Sequence, residues 1–489
     1  MIYQSLKVNK FLYNLGVFWL FAMAFLIAVA PAPYLHDFAE WLYQGQILAL
    51  KISDPQSVAG YTLAPYPVPN SLAPALLAIL CFLFEPILAG KIFLIVLLLG
   101  WLWTIRIFVK TYVPEHTQGS VILLFVSVVV FASFFWYGFV SYQLGLLLLI
   151  VFISSYHEKW SLSSMIGIGI LLFLSHAMIF LVWCLFLGLL FLSGQGRFRQ
   201  SVLLTFLYIA PLPIWFVLGR QLSGFVAPVA DARLAGVMEF LLLKLASPAQ
   251  HGGFRNMIQP DGSSLLEYHA WVYGLGTFST LMVVIMLTIF VFMAFFQTYI
   301  KYMSDESGPG CNLMTFKGDG ISPEGDFENN KSGKSFVVIL RKLGIVLMVL
   351  YCVAPFNFFG LIDPGSRLLL PLFVLALLVA DETSFKWLRR AALPALVGVS
   401  ISIFSYAALI YQAADDKNFA YQGPPPSGES PPKHSVVAFN DWAYRNTRYR
   451  YFNFRVFAFA DRFRQLQLVN LSGLGFRTGP ITSYNPVSN

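Results

Sequence analysis

Apolar stretches, many of them about 20 residues long, recur along this chain, and no other feature constrains its fold so tightly. They fall near 11–33, 71–89, 91–109, 120–137, 143–155, 162–176, 177–194, 200–218, 272–300, 336–354, 367–381 and 391–411. A helix of about 20 residues rises about 30 Å, the thickness of a bilayer's hydrocarbon core. Charged residues make up 11% of the chain and hydrophobic ones 57%, with a mean hydropathy of +0.69. Soluble domains carry roughly 25% charge. This chain has too few charges to cover a water-facing surface, which excludes a soluble globular domain and makes lipid the solvent for most of it. The alternating ten-residue pattern of a membrane barrel is absent, so helices must satisfy the backbone. The expected fold class is an all-α polytopic membrane protein.

The charge pattern counts and orients the spans. Lysine and arginine gather on the cytoplasmic side of membrane proteins. With Lys7 and Lys10 cytoplasmic and 71–89 lying along the outer interface, Arg106/Lys110, Lys159, Arg197/Arg199, Lys301 to Lys342 and Lys386/Arg389/Arg390 all fall inside. The opposite connections near 137–142, 175–177 and 355–366 carry no Lys or Arg. If 71–89 spanned, the clusters from 106 to 199 would face outward, and Pro74, Glu85 and Pro86 make it a poor span in any case. About eleven transmembrane helices are expected, with the N-terminus inside and the C-terminus outside. The transmembrane body covers 1–411, with outer loops 34–90 and 219–271 and a cytoplasmic loop 301–335 whose Gly, Ser, Asp, Glu and Asn content predicts disorder. An extracytoplasmic tail follows over 412–489, opening on a Pro/Gly/Ser linker and running into the Arg- and aromatic-rich segment Trp442 to Arg464. Residues 1–33 imitate a signal peptide, but the apolar run is too long and Pro31 follows the Ala28-Val29-Ala30 mimic of a cleavage site, so an uncleaved helix is expected.

The scattered Cys81, Cys184, Cys311 and Cys352 form no CxxC pair, and neither a disulfide framework nor a zinc site is readable from them. The net charge of +8 reports topology, and no nucleic-acid motif accompanies it.

Candidate chemistry clusters at the expected outer ends of helices. Asp37 and Glu40, in Pro33-Tyr34-Leu35-His36-Asp37-Phe38-Ala39-Glu40-Trp41, lie three apart and share a helix face. A carboxylate there can deprotonate a hydroxyl or hold a metal. It equally fits a helix N-terminus leading into an interfacial helix. The prolines of Pro65-Tyr66-Pro67-Val68-Pro69-Asn70-Ser71 fix an extended chain, as a shaped loop over a cavity or a stiff connector. Trp136 to Gln143 is polar and aromatic without charge, a composition shared by sugar sites and by interfacial aromatic belts. His176 sits at a turn between two apolar stretches, as a satisfied polar residue or part of a site. Arg367 opens an apolar stretch after Ile362-Asp363-Pro364-Gly365-Ser366 and can grip a phosphate bidentately, pair with Asp363 or snorkel. In the second loop Asp231, Glu239, His251, Arg255, Glu267 and His269 show no metal-ligand spacing.

These features together resemble the GT-C superfamily of membrane glycosyltransferases, whose first helix leads to a large outer loop that opens on an acidic residue and contains interfacial helices. Asp37 matches that residue and 71–89 the interfacial helix. Gly138-Phe139-Val140-Ser141-Tyr142-Gln143-Leu144-Gly145-Leu146 is similar to a "GF-N-(F/Y)-x-x-G-L" run of a little-described bacterial branch, with Ser141 in place of the Asn. Leu174-Ser175-His176 resembles that branch's "x-A-H" turn. The resemblance covers roughly 11–215 and, more loosely, Arg367 and its helix. No second acidic cluster follows the third span, where metal-dependent members hold their ion, so no metal or other cofactor is implied.

The resemblance implies a glycosyltransferase of a bacterial inner membrane, inverting, that moves a sugar from a polyprenyl-phosphate carrier to a glycan, lipid or protein acceptor at the extracytoplasmic face. Asp37 would be the general base. Arg367 would stabilise the departing lipid phosphate, and His36, Glu40, Tyr142, Gln143 and His176 would bind substrate. The rival readings are a lipid-linked polysaccharide polymerase or ligase, which Arg220, Arg233 and Arg255 keep open, and a membrane transporter. Nucleic acid is not an expected partner; the bilayer is.

Overall fold

The computed structural model describes residues 2–30, 33, 35, 38–59, 61–154, 161–193, 196–222, 240, 244, 270–297, 327–354, 357–358, 361–362, 365–415 and 481–484. His36 and Asp37, most of the second loop, and most of the tail lie outside the described residues.

Helices dominate. In chain order they are α1 Ile2–Val29, α2 Phe38–Ser53, α3 Leu72–Leu83, α4 Pro86–Tyr112, α5 Gln118–Phe125, α6 Ser133–Trp136, α7 Val140–Ser154, α8 Leu162–Ser175, α9 Ala177–Ser193, α10 Gly196–Ile209, α11 Pro211–Leu222, α12 Ala270–Phe292, α13 Phe327–Val353, α14 Leu369–Val379 and α15 Glu382–Asp415. Two short antiparallel ribbons join them, β1 Tyr61–Leu63 with β4 Ile481–Tyr484, and β2 Asn357–Phe358 with β3 Leu361–Ile362. The first ribbon sets a strand of the tail beside the first loop, Tyr61 opposite Tyr484.

Among the described residues, six helices are long and apolar enough to cross a membrane: Lys7–Val29, Pro86–Tyr112, Arg199–Gly219, Gly274–Phe296, Phe336–Val353 and Thr383–Ala408. Their outward faces are as apolar as their inward ones. On α1, Trp19, Met23 and Ile27 are buried while Phe18, Phe21 and Phe25 are exposed. The same holds for Val96, Leu99 and Trp103 on α4 and for Leu207, Tyr208 and Trp215 on α10 and α11. A helix apolar all round belongs in lipid, and this is a multi-pass membrane protein.

Local chemistry moved some expected boundaries. The stretch 71–89 divides: Phe84 is extended (φ −138°, ψ 157°), and Pro86 takes the first position of α4, where its missing N–H costs nothing. The stretch 120–137 breaks at a π-helical turn, Val126–Val130. Helix α13 starts at Phe327, ahead of its apolar span Phe336–Val353.

Side-chain bonds at the helix ends align the bundle. Asn9 donates its amide to the Glu115 carbonyl (2.6 Å) and accepts the Gly119 N–H (2.7 Å), which sets the start of α1 beside the end of α4. Lys91 donates to the Ala28 carbonyl at 3.1 Å, joining their opposite ends. Tyr112 donates to the Ser154 carbonyl at 3.0 Å, so α4 and α7 run parallel. Lys10, Arg106 and Lys110 therefore share one end of the bundle, and the starts of α4 and α7 share the other.

Asn9→Ala removes both bonds from α1, one to Glu115 and one to Gly119 of α5, and should lower stability by about 1 kcal/mol. A Cβ at Gly119 would strike the Asn9 backbone. Gly119→Val should therefore cost about 1–3 kcal/mol through overpacking. Thermal unfolding in detergent reads both, and unchanged midpoints would remove this staple from the account.

Candidate functional site

Three polar residues far apart in sequence meet at the end of the bundle remote from Lys10 and Lys110. Each sits where a helix begins. Gly138, with φ 72°, turns the chain after α6 in a conformation that glycine adopts without strain, and α7 starts two residues later. Tyr142 lies in the first turn of α7, fully buried, and donates its hydroxyl to the Arg367 carbonyl at 2.6 Å. Arg367 belongs to a 3₁₀ turn, Ser366–Leu368, that leads into α14. Its guanidinium lies 5.2 Å over the Phe139 ring, and Nη1 is 2.9 Å from Nε2 of His176. The Tyr142 and His176 rings meet edge to face at 5.1 Å.

His176 separates α8 from α9. Its backbone is extended (φ −165°, ψ 127°), so α8 ends there. Its Nδ1 accepts the Met178 N–H at 3.2 Å and caps α9. A neutral imidazole has one acceptor nitrogen. Nε2 faces Arg367, whose guanidinium nitrogens only donate, so the Met178 N–H and the guanidinium both point at a ring with a single acceptor nitrogen.

Gln143, next along α7, points elsewhere. Its Nε2 donates to the carbonyls of Val129 (3.1 Å) and Val130 (3.5 Å) at the end of the π turn, and its buried Oε1 has no hydrogen-bond partner. Consecutive helical residues diverge by about 100°. Tyr142 and Gln143 therefore serve different neighbours. Ser141, standing where the GT-C-like run has Asn, lies 3.5 Å from the carbonyl of Asn70, to which it donates. Asn70, at φ 70°, ends the proline-rich segment, whose Tyr66 packs on Phe216 of α11. That segment bridges α11 and α7 beside the cluster.

Glu40 is half-buried in the first turn of α2, a position the helix dipole favours for an acid. Phe38, the residue after Asp37, packs on Phe93 and against Gly90 in the first turns of α4, at this same end. Among the described residues, no three His, Cys, Asp or Glu side chains gather as metal ligands would.

A half-enclosed cavity of about 300 Å³ adjoins the cluster, between α12, α13, α14, α15 and the π turn. Its wall is apolar apart from scattered hydroxyls such as Ser127, Ser279 and Ser402. Phe134 lines it and contacts the Tyr142 ring at 4.7 Å. Leu369 and Leu370, just after Arg367, line it too. One residue at this end escaped the sequence reading: buried Lys244, a lone cation in the apolar run Leu241-Leu242-Leu243-Lys244-Leu245 of the second loop.

His176→Asn keeps an acceptor for the Met178 amide, whereas His176→Ala does not. The alanine variant should lose about 1 kcal/mol of stability and the asparagine variant clearly less. Equal losses in thermal unfolding would mean that the ring's packing, not the cap, matters at this position.

No protein-family model matches this chain, and neither a curated protein nor a solved structure matches it.

Proposed function

We propose that this chain is a glycosyltransferase that moves a sugar from a polyprenyl-phosphate carrier to an acceptor hydroxyl at the extracytoplasmic face of a bacterial inner membrane. The observation that carries the reading is the Arg367 guanidinium, which lies over Phe139 and 2.9 Å from His176 Nε2 beside an apolar cavity. A guanidinium can grip a phosphate bidentately, and an apolar cavity suits the chain of a lipid that carries such a phosphate. The basic end of the bundle, with Lys10 and Lys110, is cytoplasmic by the positive-inside rule, which turns the Arg367 end outward. In this reading the six long helices and five shorter ones make the eleven spans, in a GT-C-like arrangement.

The reaction is a single inverting displacement. The acceptor oxygen bonds to the anomeric carbon, and the bond from that carbon to the phosphate oxygen breaks. The electron pair leaves on the lipid phosphate, where Arg367 and His176 stabilise the charge, and the acceptor proton passes to Asp37. Electrostatic stabilisation of this kind is usually the largest single contribution to such catalysis. Tyr142 holds the Arg367 turn through its hydroxyl, Phe139 backs the guanidinium, and the binding of the acceptor falls to Glu40 and His36.

Pro394 inside α15 and the two π turns, Val126–Val130 and Met293–Gln297, favour a second reading, a transporter with irregular helices near its substrate path. Uptake of free sugar into proteoliposomes would select it over the transferase.

Purified protein supplied with polyprenyl-phosphate sugar and an acceptor tests the main reading. Asp37→Asn should lower transfer about 10²–10⁴-fold at normal expression. Arg367→Gln should lower it about 10²–10³-fold. Near-normal turnover in the first variant removes the base, and in the second removes the phosphate contact. In a cysteine-free background, a cysteine at Ser53 should react with an impermeant maleimide in intact cells, and one at Lys110 only after permeabilisation. The opposite result reverses the orientation.

A further inference from the structure

Helix α2 is gripped from two sides. On one side Phe38 packs on Phe93, ring centres 6.2 Å apart. On that side too, Gly45 lets α3 come so close that a Cβ built on it would fall 2.6 Å from Leu77 Cβ and 3.2 Å from the Ala78 backbone nitrogen. Tyr43 stands five residues after Phe38 and two before Gly45, which at about 100° per residue puts it on the opposite side of the helix. It is buried, and its hydroxyl lies 2.6 Å from the hydroxyl of Tyr61, which is buried as well. The two rings meet edge to face at 6.2 Å.

Tyr61 opens β1, and β1 is paired antiparallel with β4, so the second grip on α2 is built from the end of the tail. Tyr61 stands opposite Tyr484, Thr62 opposite Ser483 and Leu63 opposite Ile481, with a register shift that skips Thr482. Strands of three and four residues are marginally stable as a lone pair. A ribbon this short opens readily, and its hold on α2 is one that can be released. What α2 carries makes that hold matter. Glu40 lies three residues before Tyr43 and shares its side of the helix, and Asp37 immediately precedes Phe38 in the chain.

We propose that β4 is a clasp on the first loop: paired with β1, it holds α2 through the Tyr61–Tyr43 contact against the bundle end that carries Arg367, and its release lets α2 shift. As a device for catalysis the clasp rests on the reading that Asp37, directly ahead of α2, is the base. The end of the tail is then a positioning element for the acceptor half of the reaction. The phosphate contact of Arg367 is built from other elements, α7, α9 and the turn before α14, and does not depend on it.

Three forms of the protein in nanodiscs test this: the full-length chain, a chain ending at Pro480, and a full-length cysteine-free variant carrying Thr62→Cys with Ser483→Cys. The cysteine pair should close to a disulfide under mild oxidation. The chain ending at Pro480 should exchange the amide hydrogens of α2 about tenfold faster or more, as loss of a hydrogen-bonded ribbon allows. It should bind polyprenyl phosphate within about threefold of the full-length chain, short of one tenfold step. It should transfer sugar about 10–10²-fold more slowly, the effect of a small misplacement of a reacting group. The disulfide-locked form should keep full-length exchange rates and transfer. Tyr43→Phe should speed exchange in α2 by a smaller factor than the truncation. Failure of the disulfide to form, or unchanged exchange in the truncated chain, overturns the clasp. Equal loss of lipid binding and of transfer overturns its positioning role in favour of general support of the fold. If the full-length chain itself transfers no sugar, the transferase reading fails, while the disulfide and the exchange rates still decide the clasp.

Discussion

In a bilayer a broken helix end has no water to turn to, and every freed backbone group must find its partner within the protein. That constraint organises the end of this bundle where α7, α9 and α14 begin. The Gln143 amide supports the carbonyls at the π turn, the His176 ring caps α9, and the Tyr142 hydroxyl takes up the carbonyl of Arg367. Polar side chains gather there because the helices are interrupted there. The walls between remain carbon, with Phe134, Phe139 and Tyr142 in ring contact with one another or with the guanidinium.

The same interruptions give the site its unrest. His176 has one acceptor nitrogen, and two donors, the Met178 N–H and the Arg367 guanidinium, reach its ring from opposite sides.

Irregular helices also shape that cavity. Pro394 interrupts the hydrogen-bond ladder of α15, and hydroxyls from neighbouring elements serve the backbone there: Ser279 donates to the Pro394 carbonyl and Ser127 to that of Ala395, at 3.2 Å. Both serines line the hollow. Short hydroxyls in the cavity wall thus add hydrogen bonds to backbone carbonyls of α15 beside the proline.

The membrane character was legible in the sequence because it depends on composition and run length, which are local quantities. So were the places of Tyr142, His176 and Arg367: each is a polar residue at a break between apolar runs, and such residues have few reasons to be there. Their separation from Lys10 and Lys110 to the opposite end of the bundle also followed from charge placement. Legibility stopped wherever direction or distance across the fold mattered. Adjacent residues Tyr142 and Gln143 looked like one motif, yet the 100° step of a helix sends them to different partners. Lys244 carried no signal beyond being a lone charge among leucines, because its contact with the Tyr351 ring joins distant segments. The sequence by itself determined a helical membrane protein and which residues stand at its helix ends. Only the tertiary structure decided which of those ends meet, because pairing helix ends depends on side-chain packing across the bundle, and a hydrophobic period along one helix does not encode its neighbour.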